Sequence, residues 1–311
     1  MVVARTRTRK EFADAVEVQA STATPVANCL SFDVEGFIES NCESFHIPPE
    51  YCEKAKENSE IERNTEVVLE LLSILGIKAT FFFLGRIACE IPQIVTRVAQ
   101  GGHEIGCHSY EHCRIFRITR GEFRERLVAA KGRLEDVSGQ QVYGFRAPDF
   151  SITQSSLWAL DVLKEAGFVY DSSIYPIRLH DVYGLPMAQP FIHRLQNGLI
   201  EWPLATFRFL GIRFPFGGGG YFRLYPPFFT ALCMSSMNRR GHPCMLYIHP
   251  YEVGPAIPEI PGISYYRHFR HYYNCSTGKG RLKHICKRYR FLPAIQVVAA
   301  LGLWKEAKGY A

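Results

Sequence analysis

The sequence has ten cysteines but neither a CxxC pair nor a regular spacing among them. In a chain of 311 residues that absence argues against a disulfide framework and for reduced, mostly buried thiols. No uninterrupted apolar run is long enough to cross a bilayer. The glycine run 217–220 is not followed by Lys-Ser or Lys-Thr, and no GxGxxG follows a strand-like segment, so phosphate-loop and dinucleotide fingerprints are both lacking. Internal repeats and Pro/Ser-rich linkers are missing too, and nothing demands a second domain. Residues 1–10 are charged with no apolar core behind them, which does not fit a secretory signal. A cytoplasmic location is expected, with peripheral contact at the inner membrane left open. Acidic residues are absent from 265–290, where Arg267, Arg270 and six further Arg or Lys residues stand. That stretch reads either as a solvated face or as a contact for an anionic membrane or a phosphorylated carrier. The net charge of +6 is modest, and nucleic acid is not expected as a partner.

What is present is an ordinary globular composition, 47% hydrophobic and 21% charged, arranged as alternating strand and helix patterns. Apolar runs predict strands at 26–32, 79–84, 103–107, 141–145, 168–170 and 244–248. Helical spacing predicts helices at 61–75, closed by Gly76, from Pro92 to 102, at 121–137, and at 151–167 with Thr153 as N-cap. Residues 1–25 read as a flexible arm and 37–60 as a polar loop. Residues 189–227 read as an irregular insertion whose glycines either let backbone approach a ligand or form a surface turn. The tail, 291–304, reads as a final helix. Strand–helix alternation at this spacing argues for a parallel α/β barrel over 26–255, with a basic extension, 256–311, packed on it.

The chemistry-bearing residues fall just after the predicted strands. Asp33 and Glu35 share one side of a strand end, an expensive placement unless a cation or a function compensates. His108 and His112 stand four apart, a spacing that on a helical turn puts both imidazoles on one face and lets them converge on one ion. Cys107 and Cys113 flank them, but Cys107 alternates away from His108, and Cys113 lies about 100° round from His112 on a helix. Arg146, Asp171 and His249 each follow a later strand. In a parallel barrel those ends share one rim, the rim on which such barrels do chemistry.

The strings Ser31-Phe32-Asp33-Val34-Glu35, His108-Ser109-Tyr110-Glu111-His112, Arg146-Ala147-Pro148-Asp149-Phe150, Asp171-Ser172-Ser173 and Leu246-Tyr247-Ile248-His249-Pro250 resemble, in that order, the five motifs of NodB-type polysaccharide deacetylases (carbohydrate esterase family 4). Residues 217–223 and Phe269-Arg270-His271-Tyr272 resemble the exopolysaccharide-locus subgroup with a DUF3473-type extension. The resemblance implies a distorted (β/α)7 barrel and metal-dependent removal of an N-acyl group, usually acetyl, from an amino sugar. It implies Asp33 as general base, Glu35, His108 and His112 as ligands of a divalent metal such as Zn²⁺ or Co²⁺, and His249 as general acid. Arg146 would orient Asp33, and Asp171 would partner His249. Pro148, Phe150, Gly219, Tyr221 and Arg223 are expected to meet the sugar, part of a bacterial polysaccharide or of its lipid- or nucleotide-linked precursor. Other readings on the same barrel are an allantoinase-like or deformylase C–N hydrolase and an inactive glycan-binding module.

Overall fold

The computed structural model describes residues 16–17, 25–45, 47, 53–178, 184–255, 257–260 and 262–305. Its frame is a curled sheet. The strands are β1 (Val16–Glu17), β2 (Cys29–Val34), β3 (Thr80–Phe83), β4 (Glu104–Cys107), β5 (Gly144–Phe145), β6 (Tyr170–Asp171), β7 (His193–Arg194), β8 (Ile200–Glu201), β9 (Thr206–Phe209), β10 (Ile212–Pro215) and β11 (Met245–Ile248). Nine of them form one sheet in the order β1-β7-β8-β6-β5-β4-β3-β2-β11, and β9 and β10 form a separate hairpin. From β8 to β11 all seven strands run parallel, as a distorted (β/α)7 barrel requires. Strands β2, β3, β4 and β11 are buried at every position, which is why they are dominated by apolar residues.

The helices are α1 (Phe37–Phe45), α2 (Lys54–Leu75), α3 (Gly85–Glu90), α4 (Pro92–Gln100), α5 (Arg120–Ser138), α6 (Trp158–Glu165), α7 (Gly219–Leu224), α8 (Pro227–Asn238), α9 (Tyr265–Tyr272), α10 (Gly278–Cys286) and α11 (Ala294–Ala300). Local chemistry explains their ends. Gly76 takes φ 64 and closes α2, Pro92 opens α4, and Thr119 with Glu122 forms a capping box on α5. Three expectations are corrected. The span 37–60, expected as a loop, holds α1 and the first turns of α2; its charge and its Asn and Ser residues hid the helical spacing. The helix expected from Ser151 starts only at Trp158, with Leu157 as N-cap, because Thr153 and Ser151 bond into local turns with Ser156. Within the expected arm, Val16–Glu17 pairs antiparallel with β7; the rest of 1–24 lies outside the described residues.

Strands β8 and β11 do not pair directly. Irregular backbone joins them: Ala205 N–H donates to Met245 O (3.4 Å), Gly217 N–H to Ala205 O (3.2 Å), and Tyr247 N–H to Gly217 O (2.7 Å). The glycine run is therefore a strap that closes the barrel before it turns into α7. The opposite end of the barrel is plugged by α11, whose Ala294, Val297 and Val298 are buried. Its first amides donate to Thr80 Oγ1 (2.8 Å) and Glu104 Oε2 (3.0 Å).

Close approach at the strap requires glycine at 218, where a Cβ would lie 1.6 Å from the Tyr247 ring. Gly218→Ala is expected to destabilise the fold by about 1–3 kcal/mol through forced repacking, read as a lower urea midpoint with an unchanged m value.

Candidate active site

Strand β2 carries the first two acidic groups to the rim. Asp33 lies near its end and Glu35 just beyond, both almost fully buried. Glu35 is surrounded by imidazoles. Its Oε2 lies 2.9 Å from His108 Nε2 and 3.2 Å from His112 Nε2, and its Oε1 lies 3.2 Å from His249 Nε2. Burial works against its charge, but the His112 charge and the hydrogen bonds from the three rings hold the carboxyl well below the usual carboxylate range. Burial likewise opposes the His112 imidazolium, and the Glu35 charge and hydrogen bond reverse it, pushing His112 up to about 10.

The histidine pair does not sit on a helical turn, as its spacing predicts. Ser109 takes φ 71, which breaks any helix at its first step, and residues 108–114 form a loop after β4. Bonds from Gly85 N–H to Ser109 O (2.9 Å) and Arg86 N–H to Tyr110 O (3.0 Å) pin that loop against α3. The two rings still converge, with centroids 5.8 Å apart. Asp149 (φ 51) and Phe150 (φ 49), on the facing loop, are also left-handed; strained loops thus frame the site on two sides.

One ligand atom from each of Glu35, His108 and His112 lies within 4.8 Å of the others. The His108 ring is oriented as ligating imidazoles usually are: Nδ1 lies 2.8 Å from the Arg146 carbonyl, so its N–H donates there, and Nε2, which faces Glu35, is the atom that would offer a lone pair to a bound cation. Two imidazoles and a carboxylate converging in this way suit a divalent cation such as zinc. Cys107 takes no part; it is buried in the hydrophobic core.

On one side of this cluster Arg146, fully buried, donates from Nη1 to Asp33 Oδ1 (2.6 Å) and to Ser31 Oγ (2.8 Å). Its Nε and Nη2 donate to the carbonyl and hydroxyl of Ser172. The guanidinium lies 4.2 Å from the Phe82 ring centroid. With donors committed on three sides, Arg146 can hold Asp33 in one orientation.

On the other side stands His249, just after β11. Its Nδ1 faces Glu252 Oε2 at 3.1 Å, and its ring stacks on Tyr251 at 4.7 Å. The carboxylate partner of His249 is thus Glu252 and not Asp171, which corrects the sequence expectation. Asp171 accepts from Ser173 Oγ (2.5 Å) and stands in register with Glu201 on the neighbouring strand. Burial, followed by the Asp171 charge, holds the Glu201 carboxyl well above the carboxylate range, while burial pushes Asp171 up to about 6.

Asp33, Glu35, His108, His112, His249 and Glu252 line one cavity of about 1080 Å³, just above the range of roughly 300–1,000 Å³ common for small-molecule sites. Of the residues expected at a sugar, Phe150, Gly219, Tyr221 and Arg223 line it. Pro148 is buried and accepts from Ser151; it shapes the turn and is not among the lining residues. Arg223 does not present a free cation to the cavity. It donates to Glu252 Oε1 (2.6 Å), Tyr273 O (2.6 Å) and Arg270 O (3.3 Å), so its charge is spent on Glu252 and on the end of α9. Sequence reasoning missed Glu252, although it lies three residues after His249. It also missed the roof: Tyr266, Phe269, Arg270 and Tyr273 of the basic stretch line the same cavity, so part of that stretch covers the site.

A model for the polysaccharide deacetylase family matches residues 55–170, and a model for a domain of unknown function, DUF3473, matches residues 172–299. A peptidoglycan-N-acetylglucosamine deacetylase of Bacillus cereus is 34% identical over 98 residues, 31% of this chain and 36% of that protein. A chitin deacetylase of Pestalotiopsis sp is 29% identical over 99 residues, 31% of this chain and 33% of that protein. The chain thus spans about a third of the length of these curated relatives. Among solved structures, a protein of Mycobacterium smegmatis described as a polysaccharide deacetylase superposes with TM-score 0.58 at 18% identity, covering 93% of this chain and 95% of the other. A Puue allantoinase gives the same TM-score at 13% identity, covering 94% of both. Both establish the fold.

The Asp171–Glu201 pair yields a stability prediction. A carboxyl whose pKa is raised on folding favours the fold fully below its unfolded value of about 4 and loses that contribution as pH rises through the folded value. The wild-type unfolding free energy is therefore expected to fall as pH climbs from about 4 through about 6. Glu201→Gln, which stays neutral, should flatten that slope in urea titrations, whereas an unchanged slope would remove the pair as its source.

Proposed function

Taking as premise that the chain carries a polysaccharide deacetylase domain continued by a DUF3473 segment, we propose that it is a metal-dependent hydrolase removing an N-acyl group, most simply acetyl, from an amino sugar. The observation that carries this reading is one cavity with a potential ligand trio at its floor, a carboxylate on one flank and an imidazole on the other.

An amide is a poor electrophile and its nitrogen a poor leaving group, so hydrolysis needs activation at both ends. A divalent cation held by Glu35, His108 and His112 would polarise the acyl carbonyl and acidify water. Asp33, held by Arg146, is the base that takes a proton from the attacking water. His249 is the acid that delivers a proton to the departing amine; Glu252 orients its ring and favours the charged imidazole, and Arg223 fixes Glu252. The general size of the cavity and its aromatic lining, Phe150, Tyr221 and Tyr266 among it, suit a sugar ring presented within a longer glycan or on a carrier. We assign the substrate to the N-acylated amino sugars of a polysaccharide or its lipid- or nucleotide-linked precursor.

Asp33→Asn is expected to lower acetate release from an N-acetylated chito-oligosaccharide by about 10²–10⁴-fold while zinc content, measured by elemental analysis, stays at the wild-type value. Glu35→Ala should lose both zinc and activity. Turnover that survives Asp33→Asn would remove Asp33 as base; zinc retention by Glu35→Ala would remove the proposed ligand set.

A further inference from the structure

The β9–β10 hairpin lies outside the barrel sheet, and its tip holds exposed apolar side chains in an unfavourable turn. Phe209 pairs with Ile212 across a two-residue turn made of Leu210 and Gly211, with φ 48 and 81. Positive φ at both central positions is a turn that favours Asn-Gly or Asp-Gly, since a branched apolar residue sits poorly in the left-handed region. Leu210 holds that position and is 85% exposed, with Phe209 60% and Ile212 48% exposed beside it. Immediately behind this tip Arg208 stands directly opposite Arg213, a like-charge pairing that opposes sheet formation; Arg213 donates to the carbonyls of Pro186 (3.1 Å) and Ala188 (3.2 Å), so Arg208 is the cation the hairpin offers outward. Apolar exposure at the tip and the Arg208 charge one residue back are both met by the same surroundings: an apolar layer overlaid by anionic groups.

The neighbourhood agrees. The hairpin rests on α8 through Phe207 against Phe229, 5.1 Å between ring centroids. Helix α8 exposes Phe228 and Leu232, one turn apart, and is followed by Arg239 and Arg240. No Asp or Glu stands between Glu201 and Glu252, so the hairpin and α8 together carry positive charge only.

We propose that the β9–β10 hairpin docks this protein on an anionic lipid bilayer surface, with Phe209, Leu210 and Ile212 entering the interface and Arg208 meeting the headgroup phosphates. This attachment is independent of the reaction assigned to the cavity, and the basic stretch 265–290, partly engaged in roofing that cavity, is not its main contact.

The test is co-sedimentation of the full chain with vesicles of phosphatidylcholine alone and with vesicles of equal parts phosphatidylcholine and phosphatidylglycerol. Wild type is expected to sediment with the anionic vesicles, to be released by salt, and to stay in solution with the neutral ones. Arg208→Gln should weaken binding about fivefold, the contribution of one basic side chain near an anionic surface. Leu210→Asn should weaken it about tenfold, as expected for losing one buried leucine, and should raise the thermal unfolding midpoint because asparagine suits the turn. The proposal is overturned if wild type ignores anionic vesicles, or if Leu210→Asn binds them as wild type does. It is overturned equally if Leu210→Asn lowers the unfolding midpoint, or if light scattering shows that Leu210→Asn dissociates a dimer of this chain while vesicle binding is unchanged.

Discussion

One buried carboxylate, Glu35, shared among three imidazoles from two distant parts of the chain, is the interaction on which the rest depends. A carboxylate withdrawn from water costs several kcal/mol unless donors and charge replace the lost hydration. Here His108 and His112 supply them from the loop after β4, and His249 supplies a third from the end of β11. The loop that delivers the first pair is bent at Ser109 into the left-handed region. Two of the imidazoles are in turn fixed from behind or beside: His108 by the Arg146 carbonyl, His249 by Glu252. The strap that closes the barrel sets Tyr247 two residues before His249. Loss of Glu35 would therefore leave three converging rings without their common acceptor.

Two arginines divide the labour around this centre. Arg146 fills the barrel interior and holds Asp33, whereas Arg223 lies nearer the roof and holds Glu252. Neither could be exchanged for lysine without loss, because each uses several donors of a planar fork at once. Arg223 also receives the carbonyls of Arg270 and Tyr273, so the segment over the cavity and the residue that orients His249 share one anchor. The span matched by DUF3473 is accordingly no appendage. Strands β8 and β11, His249, Glu252 and α9 all lie within it, while Asp33 and Glu35 precede the deacetylase match altogether. The site is assembled only when these pieces close into one sheet.

Much of the frame was legible because local rules and tertiary demands agree there. The runs that become β3, β4 and β11 are apolar because strands buried on both faces must be, and Gly76, Pro92 and Thr119 mark helix ends by backbone chemistry alone. Asp33, Glu35, His108, His112, Arg146 and His249 were legible as residues at strand ends; the cavity collects five of them, and Arg146 is buried behind Asp33. The errors share a cause. The HxxxH spacing suggests a helix, but Ser109 is turned out of it by bonds to α3, a partner remote in sequence. Asp171 was assigned to His249 by the family resemblance, yet its neighbour across the sheet is Glu201. Arg223 looked like a cation offered to a ligand, and its fork proved to be occupied by Glu252 and two carbonyls.

By itself, then, the sequence determined a parallel α/β barrel, the rim as the place for chemistry, and the identity of most groups on that rim, because periodicity and end-of-strand position are local properties. The tertiary structure alone decided which group faces which: Glu252 behind His249, Asp171 beside Glu201, and α9 folded over the cavity. It also decided that an apolar turn, Phe209 to Ile212, would remain on the outside. Pairings of that kind depend on contacts between segments far apart in the chain, and no local pattern encodes the distance between two side chains that meet only when the barrel closes.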